Sequence, residues 1–134
     1  MRQLTPRVRE YTLVAAAGAP LAPFDAGAHI AVHLQTGQGP LVRHYSLVAT
    51  GLDDPGGRRG SYRIAVQREA RPRGSSWIHD HLGVGSRLQV SQPRNDFPLD
   101  RRDPSSLLIA GGIGITPIVS MVRSLVRRRR DFRV

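Results

Sequence analysis

The chain has 134 residues, a formal net charge of +10 and no cysteine, and all 20 of its basic residues are arginines. Such a length suggests one domain, or one domain and a piece of a second, and it suffices to bury a core without cross-links. The lack of cysteine excludes, within these residues, disulfides, thiolate zinc sites, a cysteine nucleophile and a cysteine-held iron–sulfur cluster.

Residues 8–15 read as a first strand, ended by Gly18-Ala19-Pro20. His29-Ile30-Ala31-Val32-His33-Leu34 alternates, with Ile30, Val32 and Leu34 on one face. Gly37-Gln38-Gly39-Pro40 breaks it. Residues 41–48 form a third strand, with Arg43, Tyr45 and Leu47 on one face and Val42, His44, Ser46 and Val48 on the other. Asp53-Asp54-Pro55-Gly56-Gly57 is a loop by turn chemistry. Residues 62–67 form a fourth strand, and Arg71-Pro72-Arg73-Gly74 a second loop. Ser75 or Ser76 caps a short helix through Trp77, Ile78 and Leu82, which ends at residues 83–85. Residues 87–91 form a fifth strand. This spacing predicts a mainly β architecture, a small antiparallel Greek-key barrel with one short helix.

After Pro104 the pattern changes. Leu107-Leu108-Ile109-Ala110 is a continuous apolar run, expected as a strand buried on both faces. Gly111-Gly112-Ile113-Gly114 follows. Thr116 as N-cap and Pro117 at the first helical position start a helix with Ile118, Met121, Val122, Leu125 and Val126 at helical spacing. Strand, glycine loop and helix open a nucleotide-binding α/β domain. The expected division is a barrel domain at 1–103 and an incomplete α/β domain at 104–134.

Four stretches carry chemistry. Arg43-His44-Tyr45-Ser46 sets a cation, an aromatic plate and a hydroxyl in one short span, suited to a flat anionic heterocycle. On these residues alone an ordinary strand with a surface arginine is the better reading. Arg73-Gly74-Ser75-Ser76 precedes a helix, so its amides, arginine and hydroxyls suit a phosphate; a capped surface turn fits equally well. Ala110-Gly111-Gly112-Ile113-Gly114-Ile115-Thr116-Pro117 is neither a P-loop nor Gly-x-Gly-x-x-Gly, because Pro117 stands where the third glycine belongs. Its glycines still let backbone approach a ligand. The fourth stretch is Pro93-Arg94-Asn95-Asp96-Phe97-Pro98-Leu99.

In this order the four stretches resemble the phthalate dioxygenase reductase and vanillate demethylase reductase group of the ferredoxin–NADP reductase superfamily, over residues 8–125. Arg-x-Tyr-Ser and Gly-Gly-Ile-Gly-Ile-Thr-Pro mark the superfamily; Pro-Arg-Asn-x-Phe-Pro-Leu marks the group. The resemblance implies a flavin, FMN in this group and FAD in most of the superfamily. Arg43, Tyr45 and Ser46 would contact it, with Ser46 at the reactive ring nitrogen. Ala65, Val66 and Gln67 would offer backbone groups. Arg73, Gly74, Ser75 and Ser76 would hold the terminal phosphate. Gly112, Gly114 and Thr116 would line the meeting place of flavin and nicotinamide, so that Ser46 and Thr116 stand nearest the redox chemistry. The implied donor is NADH or NADPH, and the implied partner is an iron–sulfur acceptor or oxygenase component, with no metal in this chain.

There are two departures from the group. Its Gly-Arg-Gly-Gly-Ser is here Pro72-Arg73-Gly74-Ser75-Ser76, a stiffer loop. Full members also continue with the rest of a pyridine-nucleotide domain and a cysteine-held two-iron cluster, neither of which these residues contain. The edges of the 107–110 strand and the apolar face of the last helix are therefore expected to lack cover, which favours self-association. Binding of NADH by this chain is expected to be weak.

Other readings fare worse. The positive charge suits nucleic acid or an anionic membrane, but the dense runs are only Arg58-Arg59 and Arg127-Arg128-Arg129-Arg130, and few aromatics accompany them. Neither partner is expected. His29, His33, His44, His79 and His81 show no zinc spacing and read as surface histidines. No Gly-x-Ser-x-Gly turn exists for a hydrolase. No leader or membrane-length apolar run is present, so a cytoplasmic location is expected. The alternatives are an inactive fragment, which would take up no flavin, and a basic non-enzymatic binding module, which would bind polyanions salt-sensitively without a yellow chromophore.

Overall fold

The computed structural model describes residues 1–16, 20–48, 60–70, 74–100 and 102–134. Its elements are β1 (Arg2–Thr5), β2 (Val8–Val14), β3 (His29–Thr36), β4 (Gly39–Ser46), β5 (Ser61–Gln67), α1 (Gly74–His81), β6 (Gln89–Val90), β7 (Ser105–Leu107), α2 (Ile115–Arg127) and β8 (Asp131–Arg133). A 3-10 turn at Gly112–Gly114 leads into α2. The expected loop at residues 53–57, Arg58-Arg59, Gly18-Ala19 and Arg71-Pro72-Arg73 lie outside the described residues.

The chain is mainly β, as the strand spacing predicts. Antiparallel sheets β1-β2-β5 and β4-β3-β6 face one another across a single core. Alternation decides which side chains fill it: Ile30, Val32 and Leu34 from β3 and Tyr62, Ile64 and Val66 from β5 point inward. Ile78 of α1 and Leu47 join them. Past the end of β4, the Val48 N–H donates to Arg63 O at 3.0 Å, which stitches the two sheets along one seam.

Several boundaries differ from the sequence reading. The break at Gly37-Gln38-Gly39-Pro40 is a tight turn of Gly37 and Gln38 only, held by Thr36 Oγ1, which donates to Gly39 O at 2.8 Å and accepts from the Gln38 N–H at 3.2 Å. Pro40 then enters β4, which tolerates it as an edge strand. β1 escapes the sequence reading because it is exposed throughout and carries one apolar residue, Leu4. The expected fifth strand shortens to two residues, and Arg94 adds an isolated bridge to His29. Ser75 and Ser76 do not cap α1. The helix already contains Gly74, and both serines are buried in its first turn. His79 is likewise buried rather than a surface histidine.

The C-terminal stretch departs further. The apolar run is not a strand buried on both faces: β7 ends at Leu107, and Leu107 and Ile109 are 70% and 82% exposed. It does have a parallel neighbour, β8, reached through α2, so β7, α2 and β8 make a complete crossover. The apolar face of α2 is covered, with Ile118, Met121 and Leu125 packed against Ala26, Leu108, Leu99 and Phe132. Buried Ser120 donates to Leu47 O, which ties α2 to the chain just past Arg43-His44-Tyr45-Ser46. Thr116 is not the N-cap. Gly114 takes that position, since the 3-10 turn has already brought the backbone to helical geometry, and Thr116 Oγ1 donates to Ile113 O at 3.0 Å. Pro117 still falls in the first turn, where its missing N–H leaves no bond unmade.

Candidate functional site

Arg43 and Tyr45 share a face of β4 with the inward residues of β3, their ladder partners being Val32 and Ile30. Because β4 is an edge strand, that face opens at the seam, where α1 packs. The first helical residue, Gly74, meets Arg43 there. A methyl group on Gly74 would sit 2.8 Å from Arg43 Cγ, 3.2 Å from its Nε and 3.1 Å from Leu41 Cδ2, so a side chain there would push Arg43 and Leu41 aside. The guanidinium thus lies beside the start of α1, the positive end of the helix. Arg43 Nη1 donates to Val42 O at 2.9 Å, which leaves other donors of the fork to meet an anion.

Tyr45 packs half-buried against the core. Burial pushes its phenol up to about 12; the Arg43 charge opposes that shift, and Glu69 adds to it. The Glu69 N–H donates to Ser75 Oγ at 3.2 Å, so Arg43, Tyr45, Glu69 and the α1 start form one corner. Beside it a cavity of about 530 Å³ lies between the β3–β4 turn and α1, with Arg43, Ser76, Trp77 and Asp80 in its wall.

A second cavity, of about 500 Å³, brings Ala65, Gln67, Gly112 and Thr116 together. Gly112 has φ +53, a conformation that favours glycine, and nothing lies within 4 Å of where its side chain would be. Open backbone therefore faces the outer side of β5. Glu10, Arg63 and Arg123 line the same cavity, and none of them was singled out from the sequence. Glu10 stands opposite Ala65 in the β2–β5 ladder, with an ion pair of 3.4 Å to Arg2. The signal for Glu10 and Arg63 was available, since both alternate with core residues.

Ser46 opens elsewhere, into a recess of about 430 Å³ with His29, His44, Asp96, Phe97 and Pro117. The Ser46 hydroxyl has no hydrogen bond among the described residues. His29 and His44 meet edge to face at 5.3 Å, and His29 Nε2 lies 3.9 Å from Asp96 Oδ2. Among the described residues no three His, Asp or Glu side chains are grouped to hold a metal ion. The candidate residues thus fall into three hollows grouped about β4, β5 and the start of α2. Val66 points its side chain into the core, Gly114 is exposed, and Arg73 lies outside the described residues.

No protein-family model matches the chain. Curated relatives do. The heme-dependent oxidative N-demethylase beta subunit of Ectopseudomonas mendocina is 44% identical over 133 residues, which are 98% of this chain and 40% of that protein. The vanillate O-demethylase oxidoreductase of Pseudomonas sp. (strain HR199 / DSM 7063) is 44% identical over 133 residues, 98% of this chain and 39% of that protein. Among solved structures, phthalate dioxygenase reductase, a modular structure for electron transfer from pyridine nucleotides to 2Fe-2S, superposes with a TM-score of 0.84 at 41% identity, covering 98% of this chain and 39% of that one. The chain spans about two fifths of the length of the relatives it matches. It belongs to the phthalate dioxygenase reductase and vanillate demethylase reductase group of the ferredoxin–NADP reductase superfamily.

Proposed function

We propose that this chain is the flavin-binding part of an NAD(P)H-dependent reductase that passes electrons from a nicotinamide through FMN to an iron–sulfur centre serving an oxygenase. The observation that carries the reading is the corner where Arg43 lies against Gly74 at the start of α1. A helix start beside a guanidinium suits a phosphate monoester, and Tyr45 beside it suits the ring that such a phosphate would tether. Gly112 leaves open backbone next to Ala65 and Gln67, as a flat ligand requires. These residues fit FMN.

When bound, FMN would accept hydride from the nicotinamide and release electrons singly, chemistry that no side chain of this chain provides. The protein's part is to hold and orient. Arg43, Gly74, Ser75 and Ser76 take the phosphate, with Arg73 the remaining member of that set. Tyr45 supports the ring, Ala65, Val66 and Gln67 border it, and Ser46 offers its free hydroxyl to the polar edge. Thr116 spends its hydroxyl proton on Ile113 O, so its contribution is the shape of the glycine turn through which a nicotinamide reaches the ring. The same reading carries NADH or NADPH as donor and an oxygenase component as partner. Exposed Leu107, Ile109 and Val134 favour self-association, which light scattering checks.

The experiment is uptake of the chromophore. After incubation with FMN or FAD and removal of free flavin, the folded chain is expected to elute yellow with FMN in preference to FAD. A colourless, folded chain overturns the reading.

A further inference from the structure

α1 has eight residues, too few to hold a helix in water unaided, so its position depends on its attachments. Ile78 is fully buried in the barrel core. Arg9 Nη1 donates to His79 O at 2.9 Å, and Tyr11 Oη donates to Ile78 O at 3.3 Å. Arg68 grips Asp80 through two bonds of 2.6 and 3.1 Å on the exposed side. These contacts tie the helix to β2 and to the residue that follows β5.

His79 makes a different connection. Its ring is 8% exposed, stands edge-on to Tyr11, and sets Nε2 at 2.9 Å from Val66 O. A carbonyl oxygen only accepts, so Nε2 carries the proton and donates. The bond ends on the backbone of β5, in the middle of Ala65-Val66-Gln67. The same helix presents Gly74, Ser75 and Ser76 at its other end, where Arg43 lies. A buried ring that lost this partner would leave its own Nε2–H unsatisfied, which is unfavourable enough to keep the two segments in fixed relation.

We propose that His79 is a positioning residue of the flavin site, holding the phosphate-facing start of α1 and the ring-facing strand β5 at the one spacing that a single flavin spans. The inference rests on the reading under Proposed function and goes beyond it. His79 touches no cofactor; it acts through Val66 and through the helix that carries Ser75 and Ser76. A ligand gripped at both ends would feel a change in that spacing more than the fold itself would.

The test uses FMN as the probe and the full chain as the protein. FMN dissociation constants and the visible circular dichroism of bound FMN are measured beside thermal midpoints for the unmodified chain, His79→Leu, His79→Gln and Tyr11→Phe. His79→Leu is expected to weaken FMN about tenfold or more and to alter the dichroism. His79→Gln, which keeps a donor near the Nε2 position, is expected to stay within about threefold. Tyr11→Phe loosens the same helix without touching Val66, and is expected to lower the midpoint while FMN affinity holds within about threefold.

A folded His79→Leu with unmodified affinity and dichroism overturns the proposal, as does a Tyr11→Phe that weakens FMN as much as His79→Leu does. One further readout needs no variant: the His79 Nε2 proton should become more protected from exchange when FMN is added, and unchanged protection also counts against the role. If the unmodified chain binds no FMN, it is the functional reading that fails.

Discussion

In the barrel, Ile30, Val32, Leu47, Val66 and Ile78 are at 0% exposure, whereas Leu107 and Ile109, in the apolar run around β7, stand at 70% and 82%. Both stretches are rich in aliphatic residues, so composition does not separate them. Neighbours do. β3 lies between β4 and β6, and α1 caps the space between the sheets. β7 has one described partner, β8, and α2 covers one side of that pair. An apolar run thus foretells a strand, while burial depends on how many layers reach it.

Breaking the comparison at its strong end should have the largest effect. Ile30→Ala is expected to cost about 2–5 kcal/mol, because a filled core does not collapse fully around the gap. Ile109→Ala, equally aliphatic, is expected to stay within about 0.5 kcal/mol. Urea unfolding of both variants checks the contrast, and equal losses would erase it.

The joint between the two regions comes next. Ser120→Ala removes the bond to Leu47 O and is expected to cost about 1–3 kcal/mol, since a buried acceptor loses its donor. Hydrogen exchange should then quicken in α2 before it quickens in β3. Uniform quickening would mean that the regions unfold as one.

A smaller effect lies in pH. Burial raises the Tyr45 phenol from 10.0 to about 12 in the folded chain, so between those values the folded form keeps a proton that the unfolded form has lost. The stability is intact below pH 10 and falls as pH climbs toward 12. Tyr45→Phe should flatten that fall. Tyr62, also raised by burial, leaves a residual slope. The least effect is expected from Asp80→Asn. Arg68 holds the Asp80 carboxyl below its usual range, but the pair is exposed, and the thermal midpoint should not move measurably.

Much of the barrel was legible because alternation is a local signal: Ile30, Val32 and Leu34 announce β3 and its inner face from six residues. β1 and β8 were not legible. Gln3-Leu4-Thr5 and Asp131-Phe132-Arg133 each carry one apolar residue, and their strand state comes from partners distant in sequence. The helix starts were misplaced at Ser75 and Thr116 for a shared reason. A hydroxyl residue is favoured at a cap, yet a glycine that lets backbone pack closely, or a preceding 3-10 turn, moves the start upstream. At the site, Arg43 meets Gly74, and Tyr45 stands beside Arg43 on the same face of β4. Ser46 opens into a different recess from Ala65 and Thr116, a separation that spacing along a strand does not reveal. His79 and His81 diverge on a helix and show no zinc spacing, which gives a surface reading; only the fold shows that the His79 ring points inward.

The proposed flavin site turns on the corner where Arg43 meets the start of α1. Titrating FMN into the folded chain and into Arg43→Ala, with flavin fluorescence as the readout, tests it most directly. Saturable one-to-one quenching is expected from the unmodified chain, and a loss of affinity of about tenfold or more from the variant. Quenching that is identical in the two, or absent from both while circular dichroism reports a folded barrel, would contradict it.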